Sequence, residues 1–211
     1  MRKSLSVARR LVASVAVLAA ASACGDVARE GRSPVYLVVD SLLAAQGNKP
    51  TPLTGTLFSD VITNVITPAP CSADSPCPTI FGDSGSVILR APLKDPGATA
   101  SLSPTTNNEV TINRVHVAYS RADGRNTPGV DVPFGFDNAI TGTIPAGGNL
   151  TIGFELVRNV AKQESPLVQL KTSSNIVSVI ATLTFYGVDR VGNAIQTTGQ
   201  ITIEFGNFGD Q

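Results

Sequence analysis

Three kinds of residue in this sequence could take part in chemistry: a serine between glycines, three cysteines, and oxygen-bearing side chains in loops. Ser84 stands in Gly82-Asp83-Ser84-Gly85, where its hydroxyl could act as the nucleophile of an acyl transfer. Such a nucleophile needs a histidine base that a carboxylate orients, and the sequence contains one histidine, His116. Strand parity places His116 with Arg114 on the polar face of its strand. We therefore predict that residues 82–85 form a tight turn and that the protein is not an enzyme, with a hydrolase using Ser84 as the alternative.

Cys24 directly follows a segment with the three zones of a secretory signal peptide. Four basic residues and no acid begin the chain, an apolar run occupies residues 11–20, and three small residues precede the cysteine. The apolar run is too short to span a bilayer comfortably. Ala21-Ser22-Ala23-Cys24 resembles the lipobox of bacterial lipoproteins, although its first position is usually Leu. We predict a signal peptide at 1–23, lipid such as palmitate on Cys24, and a flexible polar tether at 24–33; an ordinary signal peptide that leaves a free thiol is the alternative.

A lipidated Cys24 fixes the expected location of the protein. Each buried methylene contributes about 0.8 kcal/mol, so two or three acyl chains on one residue would anchor the protein firmly. We expect it in the bacterial cell envelope, anchored to the inner or outer membrane and facing the periplasm or the exterior. Asp26 resembles the signal that retains enterobacterial lipoproteins in the inner membrane, a rule that does not transfer to all bacteria.

Cys71 and Cys77 lie six positions apart in a proline-rich segment. An exported protein meets an oxidising compartment, so we predict a disulfide between them. Closing so short a loop contributes about 2 kcal/mol by chain entropy. A metal site is the alternative, but it would need further ligands, and His116 is far along the chain.

The charge and composition exclude nucleic acid as a partner and favour strands. The whole chain has 16 basic and 16 acidic residues, and removal of Arg2, Lys3, Arg9 and Arg10 leaves 12 basic residues against the 16 acidic ones. A mildly acidic protein without a basic run offers little to a phosphate backbone. The low charged fraction of 15%, with 19 glycines and 14 prolines, indicates strands joined by turns.

Apolar and polar residues alternate with period two along much of the chain, as in residues 150–156. At residues 110–119 the apolar parity changes, which predicts a β-bulge near Asn113-Arg114. A short helical turn is expected at 164–171. We predict an all-β fold, an immunoglobulin-like antiparallel β-sandwich in one domain over 34–211, with an irregular Pro-rich insertion at 44–85 between the first two strands. The predicted strands, in the order A, B, C, C′, E, F and G, are 35–43, 86–91, 110–120, 131–144, 149–157, 176–187 and 194–206.

The segment around Asp189, Gly192 and Asn193 resembles the last hairpin of bacterial immunoglobulin-like or fibronectin-like domains, where an Asp-x-x-Gly-Asn turn joins two long strands. Residues 34–40, 119–133 and 205–210 are similar to segments of lipoproteins from environmental bacteria. This resemblance implies a fold and a cellular location, and it implies no particular activity.

Oxygen-bearing side chains concentrate in the loop that follows the third main strand. Asp123, Asn126 and Asp131, with Asp137 and Asn138 nearby, are ligand types that calcium accepts at the ends of extracellular β-sandwiches. Their spacing matches no EF-hand, and the same residue types are common in turns. A calcium site is therefore the less favoured interpretation.

Two arginines and two phenylalanines in the same region are candidate ligand contacts. Arg121 and Arg125 could bind an anionic partner, or they are solvated loop charges. Phe134 and Phe136, in a segment rich in proline and glycine, could contact a sugar or a protein; packing across the end of the sandwich is the favoured interpretation.

Together these features predict a non-catalytic binding or structural module of the cell envelope. Its expected contacts are a membrane, through the lipid on Cys24, and a protein or glycan partner that the sequence does not identify. No cofactor, metal or nucleic acid is expected. The alternatives are a hydrolase that uses Ser84 and an accessory carbohydrate-binding module that uses Phe134 and Phe136.

Overall fold

The structure is a computed structural model and describes residues 31–94 and 103–209. The predicted signal peptide at 1–23 and the predicted lipidation of Cys24 lie outside the described residues. In the ranges that are described, no helix is long and apolar enough to cross a membrane.

The described chain is mostly strand, which confirms the prediction of an all-β fold. Three 3₁₀ helices, at Thr106–Asn108, Ala161–Gln163 and Leu167–Thr172, are the helical elements of the described residues. The last of them matches the helical turn expected at 164–171. The strands, in chain order, are β1 (Val38–Gln46), β2 (Lys49–Thr54), β3 (Thr56–Asp60), β4 (Thr63–Val65), β5 (Cys77–Thr79), β6 (Asp83–Arg90), β7 (Val110–Ser120), β8 (Phe136–Ile144), β9 (Asn149–Val157), β10 (Val177–Asp189) and β11 (Ala194–Gly206).

The described strands form two principal sheets that share one apolar core. The first sheet has the order β2-β1-β6-β9 and the second has the order β3-β11-β10-β7-β8, while β4 and β5 form a separate hairpin. Alternate residues of both sheets point into a single buried cluster, for example Val87 and Leu89 of β6 and Leu183 of β10. Phe154 of β9 meets Phe185 of β10 edge to face, with ring centroids 5.6 Å apart. The sheets therefore pack face to face across the core.

The β-bulge predicted near Asn113-Arg114 is confirmed. The register of β7 shifts between Ile112 and Arg114 against both of its neighbours, β8 and β10. Ile112 before the shift and Val115 after it are both fully buried. The extra residue thus keeps one apolar face of β7 toward the core, as the change of parity required.

The segment at 44–85 is more ordered than the irregular insertion that we predicted. It contributes β2 to the first sheet and β3 to the second, and it forms the β4–β5 hairpin. The sequence did not predict the partner of β3, because that strand pairs in parallel with β11, with Thr56 opposite Thr202, and the local sequence does not encode a partner so distant in the chain. The separate hairpin is short because prolines cannot donate to a β-ladder.

The exposed edges of β2 and β3 offer few free backbone groups. Pro50 and Pro52 remove two N–H donors from β2. In β3 the carbonyl of Thr56 accepts a hydrogen bond from the Thr54 hydroxyl at 2.6 Å, and the carbonyl of Phe58 accepts one from the Gln46 amide. Side chains therefore satisfy carbonyls that a strand from another molecule would otherwise use.

The described chain begins at one end of the two sheets, here called the near end (residues 31–37, 91–94, 103–109, 145–148 and 190–193). Ser33 is buried and its hydroxyl hydrogen-bonds Asp189 beside the β10–β11 turn. The N–H of Tyr36 donates to the carbonyl of Pro92, at 2.9 Å. Ser33, the last residue of the predicted tether, is therefore already packed into the fold.

The opposite end, here called the far end, comprises residues 47–48, 61–82, 121–135, 158–176 and 207–209. β1 runs from the near end to the far end. Neighbouring strands among β1, β6 and β9, and among β8, β7 and β10, pair antiparallel and so run in opposite directions. The direction of each strand fixes the end at which the connection after it lies. Three of the long connections of the described chain, 61–82, 121–135 and 158–176, consequently lie together at the far end.

Candidate functional site

The structure separates Ser84 from His116. Ser84 is exposed on the outer face of the first sheet, whereas His116 lies on the outer face of the second, where its Nδ1 is 3.2 Å from Oδ1 of Asp137. The inward-facing core lies between these two faces. The histidine and carboxylate that could activate a serine are therefore on the wrong side of the molecule for Ser84.

The segment Gly82-Asp83-Ser84-Gly85 is not the tight turn that we predicted. Asp83, Ser84 and Gly85 are the first residues of β6, and Asp83 is paired with Val157 of β9. The chain continues in extended form here because Asp83 points into the protein and finds buried partners. A shallow open depression beside Ser84 holds the Glu155 carboxylate and the Asn159 amide on its rim.

Asp83 and Lys162 form a buried ion pair at the far end. Oδ2 of Asp83 is 2.8 Å from Nζ of Lys162, and each side chain is 1% exposed. The Ser59 hydroxyl also donates to Oδ2, at 2.6 Å, and the N–H of Gly47 donates to Oδ1, at 3.0 Å. A buried charge pair is tolerated when further hydrogen bonds satisfy both ions, and these contacts provide them for the carboxylate.

Lys162 also joins the ion pair to β3. Its Nζ donates to the carbonyl of Asp60 at 2.8 Å. Burial lowers the pKa of Lys162 from its ordinary range, and the negative charges of Asp83 and Asp60 act in the opposite direction. The sequence does not mark Lys162 as buried, because the segment around it shows no periodic pattern that would place a charged side chain in the interior.

The Asp60 carboxylate connects three segments of the far end. Its Oδ1 accepts the N–H groups of Ile62 and Phe208, both at 3.3 Å. Its Oδ2 accepts the Thr63 hydroxyl at 3.4 Å. Asp60 is 7% exposed, so these bonds are largely shielded from water. One buried side chain thus fixes the end of β3, the turn into β4 and the carboxy-terminal segment relative to one another.

Asp60 is one of the residues that line a pocket of about 230 Å³, here called the far-end pocket. Its walls come from β1, β4 and the carboxy-terminal segment, and include three side-chain amides and two apolar side chains. These lining residues are Gln46, Asn48, Asn64, Ile66 and Phe208. The Phe208 ring meets Phe58 edge to face at 5.8 Å, and Phe58 itself is 54% exposed. An aromatic surface therefore borders a group of amides.

The predicted disulfide between Cys71 and Cys77 is confirmed, with Cα atoms 5.4 Å apart. Cys77 begins β5, which pairs with β4, and residues 66–70 and 72–76 are exposed. The bond thus closes a loop that stands out from the far end beside the far-end pocket, whose wall includes Ile66.

Asp123, Asn126 and Asp131, the residues considered as calcium ligands, use their oxygens within their own loop. Oδ2 of Asp123 is 2.7 Å from a nitrogen of Arg121 and 2.9 Å from one of Arg125. Hydrogen bonds from Arg121 and then from Arg125 hold the pKa of Asp123 well below its usual range. Oδ1 of Asn126 accepts the N–H of Arg121, and Oδ2 of Asp131 accepts the N–H of Thr127. This arrangement does not favour calcium, because guanidinium groups occupy the central carboxylate.

The two arginines and two phenylalanines of this region have different surroundings. Arg121 and Arg125 both face Asp123, which leaves little positive charge for an anionic partner. Phe136 is buried, and the guanidinium of Arg158 lies 4.5 Å from the centre of its ring. Phe134 is 50% exposed and lies against Gly129, where a side chain would collide with the ring. Phe136 therefore packs as a core residue, and only Phe134 presents a surface.

Among the His, Cys, Asp and Glu side chains of the described residues, no group of three is arranged to hold a metal ion. No protein-family model, curated protein or solved structure matches this chain. The contacts of the described residues are therefore the basis on which a function is inferred.

Proposed function

We propose that this protein is a lipid-anchored module of the bacterial cell envelope that binds a protein or glycan partner at its far end and catalyses no reaction itself. We further propose that its two sheets belong to the immunoglobulin-like or fibronectin-like class of β-sandwich. The sheet orders β1-β6-β9 and β11-β10-β7-β8 support this assignment, since they correspond to strands A-B-E and G-F-C-C′ of that class. β2, β3 and the β4–β5 hairpin are then additions between strands A and B.

The observation that carries the proposal is that the two ends of the molecule differ in structure. The chain enters the fold at the near end, where Ser33 is bonded to Asp189. A lipid on Cys24 would therefore hold the near end toward the membrane. The far end, with its long connections and the far-end pocket, would face away from the membrane and meet other molecules.

The rigidity of the far end also supports a binding role. The Asp83–Lys162 pair and the Asp60 carboxylate fix the connections that would otherwise be free to move. Binding to a surface that is already ordered loses less conformational entropy than binding to a flexible one. The separation of Ser84 from His116 supports the absence of catalysis by a serine mechanism.

The anchor is tested by expressing the full chain in a bacterial host and measuring the intact mass of the protein in the membrane fraction. We expect a mature protein that begins at Cys24 and carries the added mass of acyl chains. The matched variant Cys24→Ser should leave the membrane fraction and lack that mass. A wild-type protein that begins at Cys24 without acyl mass would overturn the lipoprotein part of the proposal.

The binding role is tested by photo-crosslinking in intact cells, with a photoreactive amino acid in place of an exposed asparagine at either end. Asn64 lies at the far end and Asn107 at the near end, and both are exposed. We expect discrete crosslinked products, identifiable by mass spectrometry, from position 64 and fewer from position 107. Equal crosslinking at the two positions would contradict a partner site at the far end.

A further inference from the structure

We infer that the far-end pocket binds a single neutral sugar residue, such as the terminal unit of an envelope glycan. This inference rests on the proposed binding role and assigns that role a ligand class. The pocket encloses about 230 Å³, which is below the range of about 300–1,000 Å³ typical of pockets for drug-sized ligands. A pocket of this size suits one small ring better than an extended peptide.

The chemistry of the walls matches the two kinds of surface that a sugar ring presents. A side-chain amide carries both a donor and an acceptor, so Asn48 can bond a sugar hydroxyl, which is itself both a donor and an acceptor. The Phe208 ring offers an apolar surface against which the C–H face of the sugar can pack. Ile66 extends that surface on the same wall.

The charges around the pocket favour a neutral ligand over an ionic one. Lys49 contributes a positive charge to the lining, and Asp60 contributes a negative one. Within the described ranges Lys49 is in no ion pair, so its ammonium can donate to a ligand hydroxyl. Asp60 would repel an anion, and Lys49 would repel a cation.

The pocket is held open in a fixed shape before any ligand arrives. Asp60 bonds the backbone of Phe208, and the Asp60 carbonyl accepts the buried Lys162. Gln46, a further wall residue, is fixed because its amide donates to the carbonyl of Phe58. The same bond occupies a carbonyl of edge strand β3, which argues against a peptide strand as the occupant.

The inference is tested with the full chain, expressed in a bacterial host, purified from whichever fraction holds it and kept in a detergent without a sugar headgroup. Glucose, galactose and N-acetylglucosamine are the neutral probes, and glucuronate is the charged comparison. Binding is measured by saturation-transfer NMR, with titration for affinity. We expect at least one neutral sugar to bind with a dissociation constant on the order of 1 mM and glucuronate to bind no more tightly.

Variants locate the site on the protein. Asn48→Ala and Phe208→Ala should each weaken binding of that sugar at least tenfold. The matched control Asn107→Ala removes an exposed asparagine at the near end and should leave the affinity unchanged, while Phe134→Ala tests the alternative sugar contact that the sequence suggested. Circular dichroism confirms that each variant is folded.

Three results would overturn the inference: no neutral sugar binds, glucuronate binds at least tenfold more tightly than every neutral probe, or only Phe134→Ala abolishes binding. None of these measurements depends on the lipid anchor. A failure here therefore leaves the membrane result for Cys24 standing, and loss of the anchor leaves sugar binding measurable.

Discussion

At the scale of single residues, burial decides what an ion pair contributes. The Asp83–Lys162 and Asp40–Arg90 pairs have similar separations, 2.8 and 2.6 Å. The side chains of the first pair are 1% exposed, whereas those of Asp40 and Arg90 are 32% and 49% exposed. Water and salt screen the charges of the exposed pair, and water can solvate either side chain if its partner is removed. In the buried pair, removal of one partner leaves the other charge buried without water or an opposite charge.

Lys162→Met should therefore lower the free energy of unfolding by about 3–5 kcal/mol, since it leaves the Asp83 carboxylate buried beside neutral donors only. Arg90→Met, the matched change in the exposed pair, should cost no more than about 1 kcal/mol. Urea denaturation followed by circular dichroism measures both. The double variant Asp83→Asn with Lys162→Met should recover part of the loss, and equal effects of the two single changes would contradict the assignment.

Tyr119 provides a second buried polar contact, and this one joins the two sheets directly. Its hydroxyl on β7 donates to the carbonyl of Leu156 on β9 at 2.6 Å. Burial raises the pKa of the Tyr119 phenol far above its ordinary value, with Arg158 acting in the opposite direction, so the hydroxyl keeps its proton at physiological pH.

Tyr119→Phe should reduce the free energy of unfolding by about 1–3 kcal/mol, because the Leu156 carbonyl would then be buried without its donor. Tyr36 is 54% exposed, so Tyr36→Phe serves as the control and should change stability by less than about 0.5 kcal/mol. Denaturant titration compares the two variants. A loss for Tyr119→Phe no larger than that for the control would mean that the bond contributes nothing to stability.

At the scale of elements, the turn between β10 and β11 is organised by one carboxylate. Oδ1 of Asp189 accepts the N–H groups of Val191 and Asn193, at 3.0 and 2.8 Å, and Oδ2 accepts the Asn193 amide at 2.8 Å. Gly192 between them has a φ of +90°, which glycine adopts without strain. Burial opposes ionisation, but hydrogen bonds from Asn193, Val191 and Ser33 outweigh it, and the pKa of Asp189 lies below its usual range.

A lowered pKa means that the ionised Asp189 stabilises the fold above the unfolded-state pKa of about 3.9 and loses that effect as the pH falls through the lower folded-state value. Asp189→Asn keeps an acceptor but loses the charge, so it should be less stable at pH 7 by about 1–2 kcal/mol. The difference should persist down to about pH 4 and close at lower pH. Thermal unfolding of both proteins from pH 2 to pH 7 measures it, and a constant difference over that range would contradict the role of the charge.

The elements also differ in how far the sequence predicts them. β7, β9, β10 and β11 follow alternating runs of residues, and the bulge in β7 follows from a change of parity, because these signals are local. The parallel pairing of β3 with β11 depends on tertiary contacts, and no local period marks it.

The candidate site was predicted less well than the strands, for the same reason. Asp83 and Lys162 are far apart in sequence and meet only when β6 and the connection after β9 are placed by the whole fold. The far-end pocket combines β1, β4 and the last residues of the described chain, so no single segment carries its pattern. The loop at 121–135 is rich in oxygen-bearing side chains that could bind calcium, but Arg121 and Arg125 form ion pairs with the carboxylate of Asp123.

At the scale of the whole molecule, the two ends have different tasks under the proposed function. The near end receives the tether and contains the short turns at 145–148 and 190–193. The far end contains the disulfide loop, the far-end pocket and the exposed Phe134. If lipid holds Cys24, the two ends should lie at different distances from the bilayer.

A thiol-reactive fluorophore at Asn107→Cys should therefore be quenched more strongly by nitroxide lipids than the same fluorophore at Asn64→Cys, in membranes that contain the full-length protein. Cys71 and Cys77 are joined to each other and would not react with the label. Steady-state fluorescence with increasing nitroxide lipid gives the comparison. Equal quenching at both positions would show that the molecule does not stand on its near end.

The edge protection of β2 and β3 has a consequence for a protein confined to a two-dimensional surface. Under the proposed function, anchored copies would reach high local concentrations with the same side facing the membrane, which favours pairing between unprotected strand edges. Pro50, Pro52 and the occupied carbonyls of Thr56 and Phe58 leave neighbours little to pair with along that side. Under that proposal, neighbouring copies would crowd without polymerising, and each would keep its outward surface accessible.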